Sequence, residues 1–407
     1  MTDNGHVRRF GIVGAGTIGA GIARLLSELG ATVIVVAPRP GGVGRAAEML
    51  RLSYKVDIDR GRISAAEAEA RVRDIHLTSS YSDLDGVECV IESVAEDVQT
   101  KQDVLAAVEQ RVSPDCIVAS NTSSIPITSI AATADRPDRV IGTHYFWPAH
   151  RYRLVEIATA EATSARTLQR TLAMTSWQGK VPLVVRDSPG FFTTRILLVY
   201  LNEAIGLVAE GASIDSVDSA MKAFGWAMGP FRLMDAVGIE ILRGVYDSIS
   251  QHLGERVEYV RRLWPVLEAG HRGYGRSRRE GAKGFYLDPE GRVVDAGIYP
   301  LIGCNANGSS SSTEVSTRPV WQMINEIGHC LAEGIVSSPE DANLGAVLGI
   351  GWPQQQSGPL EYACRVGTDR IAGQLATWTR QHGPRFAPSP LLTQPASVGA
   401  WQSSYVS

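Results

Sequence analysis

A histidine and a glutamate in two consecutive segments of the chain could act together in proton transfer. His144 follows the apolar run Val140–Ile141, and Glu156 lies in the next apolar segment of the chain. An imidazole titrates near neutral pH and a carboxylate can orient and polarise it, so the two residues suit general acid–base catalysis. Oxidation of an alcohol by hydride transfer needs a base for the hydroxyl proton, and the reverse reaction needs an acid that returns it. His144 and Glu156 are therefore a candidate catalytic pair.

A serine is expected to complete this pair by donating a hydrogen bond to the substrate oxygen. Ser123 belongs to the polar run 120–124 (Ser-Asn-Thr-Ser-Ser), which directly follows the apolar run Cys116–Ala119. Spacing alone is equally compatible with a core histidine at His144 and a helix-capping role for Ser123. Spacing therefore does not decide between a catalytic and a purely structural role for these residues.

A glycine-rich run predicts a nicotinamide dinucleotide site near the start of the chain. It follows the apolar run Arg9–Val13 and opens an Ala/Leu-rich segment with helical spacing, as the motif of a dinucleotide-binding fold requires. The first glycine permits the tight turn, the second lets the backbone approach a pyrophosphate, and the third lets helix and strand pack closely. The alternative is a turn that needs only small residues. The residues expected at the cofactor are Gly14, Gly16, Thr17, Ile18 and Gly19.

The position that reads the cofactor ribose carries no carboxylate. A fold that prefers NAD usually has an acidic residue at the end of the second strand, about 20 residues after the glycine motif, to bind the ribose 2′-hydroxyl. Here that strand ends in Val-Val-Ala-Pro-Arg, with Ala37 at the acidic position and Arg39 two residues later. A guanidinium can bind a 2′-phosphate with paired hydrogen bonds. NADP is therefore a candidate beside NAD, with Arg39 either a phosphate ligand or an incidental surface arginine.

Strand-like runs alternate with helical segments over the first half of the chain. This alternation predicts a doubly wound α/β domain of the Rossmann type. After Asp187 the β signals fade, and the segment Arg195–Gly211 has the spacing of one long apolar-faced helix. The predicted strands include Arg9–Val13, Thr32–Val36, Cys89–Ile91, Cys116–Ala119, Val140–Ile141 and Val184–Val185, and Val98–Arg111 is a predicted helix.

The helical half contains one pattern twice. Asn-Glu, Ala-Glu-Gly, Gly-Trp, Gly-Pro and Val-Gly occur in this order from Asn202 and again from Asn325, and their offset changes only from 123 to 129 residues. Two all-α copies of one unit are expected, each covering an apolar face of the other as in an internal dimer, so a monomer or a homodimer is compatible with the pattern. The predicted domains are 1–188 (Rossmann), 189–294 (first helical domain), 295–317 (linker) and 318–407 (second helical domain).

Composition excludes several classes of function. The formal net charge is −4 for 407 residues, and no basic–aromatic motif indicates a nucleic-acid partner. The longest apolar runs are far shorter than the roughly 20 residues of a membrane-spanning helix. The polar start lacks a signal-peptide pattern, which predicts a cytoplasmic protein. Five cysteines without a CxxC pair indicate neither a disulfide framework nor a thiolate metal site, and no metal is expected.

Four motifs together closely resemble the L-3-hydroxyacyl-CoA dehydrogenase family, over nearly the whole chain. They are residues 14–19 (Gly-Ala-Gly-Thr-Ile-Gly), 120–124, 144–146 (His-Tyr-Phe) and 187–191 (Asp-Ser-Pro-Gly-Phe). Segments 224–230 and 283–286, with the second helical copy, are similar to the dehydrogenase part of the multifunctional fatty-acid oxidation complex α subunit. An enoyl-CoA hydratase domain normally precedes that part, and here the first strand starts by residue 10, so we expect the dehydrogenase alone.

The resemblance implies roles for individual residues. His144 becomes the catalytic base, Glu156 its orienting partner and Ser123 the ligand of the substrate oxygen. Glu96 and Lys101 match the cofactor-contacting glutamate and lysine of the family. Ser53 and Arg60 fall where the family contacts CoA, with arginine in place of lysine.

The sequence departs from the family pattern at four places. Thr194 stands where the family has a substrate-holding asparagine, although the multifunctional relatives also carry Thr-Thr-Arg there, and its hydroxyl can still donate. Trp147 replaces a small polar residue three positions after the histidine, which implies a changed substrate shape. Ala37 replaces the acidic ribose ligand, and Glu280 replaces a lysine.

These observations predict an oxidoreductase that interconverts (S)-3-hydroxyacyl and 3-oxoacyl thioesters. NAD with CoA thioesters would place it in β-oxidation, whereas NADPH with a CoA or acyl-carrier-protein thioester would make it a reductive, biosynthetic enzyme. A third alternative, motivated by the four departures, is a cofactor- or acyl-binding or assembly protein without turnover. The presence of Ser123, His144 and Glu156 at family spacing disfavours that alternative.

Overall fold

The computed structural model describes residues 8–275, 282–304 and 311–393. The chain forms two compact units, Met1–Ser188 and Pro189–Ser407. Position 280 and part of the predicted linker, 305–310, lie outside the described residues. The predicted subdivision of the second unit stays a prediction.

The first unit is built on an eight-stranded sheet in the order β3-β2-β1-β4-β5-β6-β7-β8. The first six strands are parallel in the order 3-2-1-4-5-6 of dinucleotide-binding folds, which confirms the predicted doubly wound architecture. The strands are β1 (Arg9–Val13), β2 (Thr32–Val36), β3 (His76–Thr78), β4 (Cys89–Glu92), β5 (Ile117–Ser120), β6 (Val140–Tyr145), β7 (Leu154–Thr159) and β8 (Val181–Arg186).

Helices cover this sheet and bury its apolar residues. The β-branched run Thr32–Val36 pairs residue by residue with Arg9–Val13, and both strands are buried from their second residue onward, as expected where helices lie on both faces. Packed together in this core are Ile12, Leu26, Val35, Leu50 and Val155. The helices are α1 (Thr17–Glu28), α2 (Gly42–Asp59), α3 (Ala65–Arg73), α4 (Val98–Glu109), α5 (Ile127–Ala131) and α6 (Ala165–Trp177).

Strands β6 and β7 form the one antiparallel pair of the sheet as described. Their register places His144 opposite Glu156 and Tyr145 opposite Val155. Every residue of β6 is buried, as are the first five of β7. The pair thus fixes a histidine and a glutamate side by side in an apolar setting.

The second unit is helical in its described part. Its first helix starts at Thr193 and ends at Ala209, two residues before each predicted end, and it packs along the helix Ser312–Ala332. The helices are α7 (Thr193–Ala209), α8 (Ile214–Phe224), α9 (Pro230–Val237), α10 (Ile239–Leu253), α11 (Trp264–Glu268), α12 (Ile298–Ile302), α13 (Ser312–Ala332), α14 (Pro339–Gly345), α15 (Pro359–Val366), α16 (Thr368–His382) and α17 (Pro390–Thr393).

Candidate functional site

His144 and Glu156 form a buried, hydrogen-bonded pair. His144 Nδ1 lies 3.0 Å from Glu156 Oε2, and the glutamate side chain is fully buried. Because an ionised carboxylate only accepts hydrogen bonds, Nδ1 carries the proton and Nε2 is left as the basic nitrogen. The Phe146 ring packs against the imidazole, with 4.5 Å between the two ring centroids. This arrangement presents one basic nitrogen in a fixed direction.

Ser123 sits on a loop that one carboxylate organises. Glu96 Oε1 accepts hydrogen bonds from the Thr122 hydroxyl at 2.7 Å, the Ser123 backbone N–H at 2.9 Å and the Ser124 backbone N–H at 3.2 Å. The Ser123 hydroxyl lies farther from the same oxygen, at 3.4 Å. Glu96 therefore fixes the backbone of the loop, while the Ser123 hydroxyl is held only weakly and can turn towards a ligand.

Lys101 reaches Glu96 from inside the protein. Its side chain is 1% exposed, and Nζ lies 3.0 Å from both oxygens of Glu92 and 3.2 Å from Glu96 Oε2. Burial alone would raise the pKa of Glu96, but the Lys101 charge and the hydrogen bonds from Thr122 and Ser123 outweigh it and hold this pKa below its ordinary value. The structure thus brings the two predicted cofactor-contact residues to the Ser123 loop, where Lys101 acts on Glu96. Direct contact of either with a cofactor stays a prediction.

Two residues at this edge of the sheet were not singled out from the sequence. Glu92 ends β4 and accepts hydrogen bonds from the Ser120 hydroxyl and the Val94 N–H, both at 2.6 Å. Asn121 accepts the Tyr145 N–H at 2.9 Å and so ties the Ser123 loop to the strand that carries His144. The signal that could have identified Glu92 is a carboxylate at the end of the otherwise apolar run 89–92. For Asn121 the available signal was its place inside the polar run 120–124, which did not distinguish it from its neighbours.

The glycine-rich loop has the geometry of a phosphate cradle. Gly14 has a φ of +93° and lies against the Ser93 carbonyl, and a Cβ on Gly19 would come within 2.1 Å of the Gly14 oxygen, so both must be glycine for the fold itself. A Cβ on Gly16 would meet no atom within 4 Å. Packing within the protein therefore does not demand glycine at position 16, whereas close approach of a ligand does. Gly16 precedes α1, which has no acidic residue in its first turn, so the helix N-terminus faces the cradle uncompensated.

A cavity of about 780 Å³ opens beside this loop. Its walls are the glycine loop, the end of β2, the first turns of α2 and the segment that joins β4 to α4. The volume is typical of small-molecule sites, and the position at the carboxyl ends of β1 and β4 is where the sheet order reverses. The residues present fit a dinucleotide.

The remaining predicted residues lie on several elements. Ser53 is half-buried on α2 with its hydroxyl on the Leu50 carbonyl, and the exposed Arg60 follows the end of that helix. Trp147 is 40% exposed on the loop after β6. Thr194 belongs to the second unit, in the first turn of α7. Their predicted roles as substrate contacts stay predictions.

Two models of one known enzyme family match most of the chain. Residues 9–188 match the NAD binding domain of 3-hydroxyacyl-CoA dehydrogenase, and residues 190–287 match the C-terminal domain of the same enzyme family. A solved structure of FadB2 from M. tuberculosis is 31% identical, covers 69% of this chain and 98% of its own, and has a TM-score of 0.63. The chain belongs to the 3-hydroxyacyl-CoA dehydrogenase family. The predicted resemblance is thereby confirmed, and with it an NAD-binding oxidoreductase architecture.

Other relatives extend the match over nearly the whole chain. The fatty acid oxidation complex subunit alpha of Shewanella amazonensis is 35% identical over 396 residues, which is 95% of this chain. The chain spans 55% of that relative's length. The 3-hydroxybutyryl-CoA dehydrogenase of Escherichia coli K12 covers 97% of this chain with 99% of its own, at a TM-score of 0.78 and 23% identity, and so shares the fold.

Two classes of feature are missing from the described residues. No helix there is both long and apolar enough to cross a bilayer. Likewise, residues 8–275, 282–304 and 311–393 contain no group of three or more His, Cys, Asp or Glu side chains placed to hold a metal ion.

Proposed function

We propose that the protein interconverts (S)-3-hydroxyacyl and 3-oxoacyl thioesters by hydride exchange with a nicotinamide dinucleotide. The observation that carries this proposal is the buried His144–Glu156 pair, which leaves one basic imidazole nitrogen, in a unit that also holds the glycine cradle. A base and a dinucleotide cavity are the two parts that alcohol oxidation by hydride transfer needs.

The proton transfer is assigned to His144. When a 3-hydroxyacyl thioester is oxidised, Nε2 takes the hydroxyl proton as C3 loses its hydride, and the carbon–oxygen double bond forms. A bound nicotinamide supplies the hydride acceptor in this direction and the hydride donor in the other. Glu156 stabilises the resulting imidazolium through the hydrogen bond to Nδ1. In the reductive direction the imidazolium returns the proton to the alkoxide.

Two protein hydroxyl groups are proposed to donate hydrogen bonds to the substrate oxygen. The oxygen at C3 carries most negative charge in the transition state between the ketone and the alcohol, and a prearranged donor stabilises that charge. Ser123 is proposed for this role because Glu96 fixes its backbone and leaves its hydroxyl weakly held. Thr194 is proposed as a second donor because it stands where the family has a substrate-holding asparagine. Trp147 is proposed to shape the acyl site because its ring is exposed beside the strand of His144.

The carrier of the acyl group is proposed to be CoA, with acyl carrier protein as the alternative. Ser53 on α2 and the exposed Arg60 just after that helix are the proposed contacts of the carrier. Relatives include proteins named 3-hydroxybutyryl-CoA dehydrogenase, which favours a short acyl chain. The five cysteines are free, as is usual in the reducing cytoplasm where we place the protein, and a monomer or homodimer is the proposed assembly.

The experiment is an absorbance assay of dihydronicotinamide oxidation with acetoacetyl-CoA, run with NADH and with NADPH. Turnover with the wild type and a loss of about 10²- to 10⁴-fold in His144→Asn are expected, since general acid–base catalysis contributes on this scale. Equal thermal unfolding of both proteins shows that the loss is not misfolding. Full turnover in His144→Asn would overturn the assignment of His144. Tight nucleotide binding with no turnover on any 3-oxoacyl thioester would favour the binding-protein alternative.

A further inference from the structure

The end of β2 carries no group that selects a ribose 2′-hydroxyl. The next residue, Ala37, lines the cavity with a methyl group, and its N–H is occupied by the Thr78 carbonyl at 2.8 Å. A carboxylate at this place accepts the 2′-hydroxyl hydrogen bond in NAD-selective folds and repels a 2′-phosphate. Neither effect is available from Ala37.

A tight turn places the start of α2 directly against the end of β2. The Gly42 N–H donates to the Arg39 carbonyl at 2.7 Å, and Gly41 has a φ of +67°. A Cβ on Gly42 would lie 2.4 Å from the Ala37 carbonyl oxygen, so the first residue of the helix touches the strand end. Side chains on the turn and on the first turn of α2 are therefore held beside the ribose end of the cavity.

Two guanidinium groups line the cavity at this place. Arg45 donates from Nη2 to the Pro40 carbonyl at 2.9 Å, which leaves its other N–H groups for a ligand. Arg39 is exposed, and its guanidinium makes no hydrogen bond or ion pair to another residue in the described part of the chain. The first turn of α2 contains no acidic residue, so nothing in that turn neutralises the two charges.

We propose that Arg39 and Arg45 bind the 2′-phosphate of NADP(H) and make the protein selective for that cofactor over NAD(H). The inference rests on the proposed function to the extent that both place a dinucleotide in this cavity. A phosphate monoester carries close to two negative charges at neutral pH and accepts several charge-assisted hydrogen bonds, which suits two guanidiniums. The selectivity would turn the thioester reaction towards reduction.

Two carboxylates line this cavity, Asp103 on α4 and Glu48 on α2, and Glu48 shares its helix with Arg45. Glu48 lines the same cavity three residues after Arg45 on α2 and is exposed. Its charge lies on the helix face next to the arginine and weakens the attraction for an anion. Neutralising it by Glu48→Gln should therefore raise the affinity for a 2′-phosphate.

The test is calorimetric titration of the full-length protein with adenosine 2′,5′-bisphosphate and with adenosine 5′-monophosphate. The wild type should bind the bisphosphate at least tenfold more tightly. Arg39→Ala and Arg45→Ala should each lower this affinity ratio by about 10- to 100-fold, as expected for hydrogen bonds to a charged group. Arg73→Ala, at the exposed end of α3, is the matched control and should leave the ratio unchanged.

The outcomes separate this inference from the proposed function. A wild-type ratio near one, or a ratio that neither arginine variant changes, overturns the 2′-phosphate site whatever the turnover assay shows. Ala37→Asp offers a second route, because a carboxylate placed at the ribose should lower the ratio without removing either arginine. A high ratio that both variants abolish, together with no turnover of 3-oxoacyl thioesters, would support the phosphate site and refute the proposed reaction.

Discussion

Arg195 and Arg318 lie 123 residues apart, and each binds the two glutamates that follow the other arginine in the sequence. Arg195 donates from Nη1 and Nη2 to Glu333, at 2.6 and 2.8 Å, and from Nε to Glu326. Each residue of this cluster has a counterpart 123 residues away in a second cluster, the offset at which the sequence pattern starts to repeat. In the second cluster, Arg318 binds Glu203 at 3.0 Å and Glu210 at 2.6 Å.

This reciprocity supports the proposal that the helical unit is one element used twice. Both guanidinium groups are fully buried, as is the Glu203 carboxylate. Removing one partner of a buried pair leaves an uncompensated charge, whereas the same change in an exposed pair has little effect. We therefore expect both arginines to act mainly on stability.

Arg318→Met should destabilise the second unit by about 3–5 kcal/mol, because Glu203 then keeps a buried charge with fewer partners. Denaturant unfolding measures the change. Arg272→Met breaks the exposed pair with Glu240 and is the matched control, with less than about 1 kcal/mol expected. Similar midpoints for both variants would contradict a structural role for the network.

The same network should make stability depend on acid through Glu333. Burial alone would raise the pKa of this carboxyl, but the hydrogen bonds and charge of Arg195 prevail and lower it from 4.5 to about 2. A lowered folded-state pKa gives stability that is complete above the unfolded value and is lost as the pH falls towards the folded value. Between pH 4.5 and 2 the wild type should lose stability that Glu333→Gln never had. Parallel curves of unfolding free energy against pH for the two proteins would refute this account.

The catalytic pair predicts a non-additive loss of activity. Glu156→Gln removes the acceptor charge that fixes Nδ1–H and stabilises the imidazolium, so kcat should fall by roughly 10²- to 10⁴-fold. His144→Asn combined with Glu156→Gln should lose no more than His144→Asn alone, because the two residues act as one unit. Steady-state kinetics on the four proteins of this cycle measure the coupling. Multiplied losses in the double variant would show that Glu156 acts independently of the histidine.

Glu96 should act on turnover through the Ser123 loop. Glu96→Ala removes the acceptor of five backbone and hydroxyl donors of this loop, and a loop displaced by about 1 Å loses on the order of 10²-fold in rate. The loss should appear in kcat more than in KM, since a misplaced donor is felt most in the charged transition state. Asp97→Asn, at the neighbouring N-cap of α4, keeps its capping oxygen and is the control. Unchanged kcat in Glu96→Ala would remove Glu96 from the positioning role.

The sequence identified local elements better than long-range pairings. Strands β1 and β2 match their predicted bounds because each is a continuous buried run. The extent of β7 was not predicted, because the polar loop before it resembles many connections and only the sheet shows that it returns antiparallel to β6. Spacing made His144 and Glu156 a candidate pair, and the register of β6 with β7 sets them opposite each other. The contact of Lys101 with Glu92 depends on how α4 packs against the end of β4 and has no local pattern. The edge strand β3 was missed because its three residues are short and partly exposed.

Two glycines of the cofactor loop should separate ligand binding from folding. Gly16→Ala adds a methyl group that meets no protein atom within 4 Å and has an ordinary φ of −69°, so the free energy of unfolding should change little. The methyl group occupies space that a pyrophosphate needs, so nucleotide affinity should fall at least tenfold. Gly19→Ala places its methyl group 2.1 Å from the Gly14 oxygen and should destabilise the fold as well as weaken binding. Titration with the dinucleotide and thermal unfolding of both variants distinguish the two effects, and a Gly16→Ala protein that binds normally would exclude close approach of a phosphate at that residue.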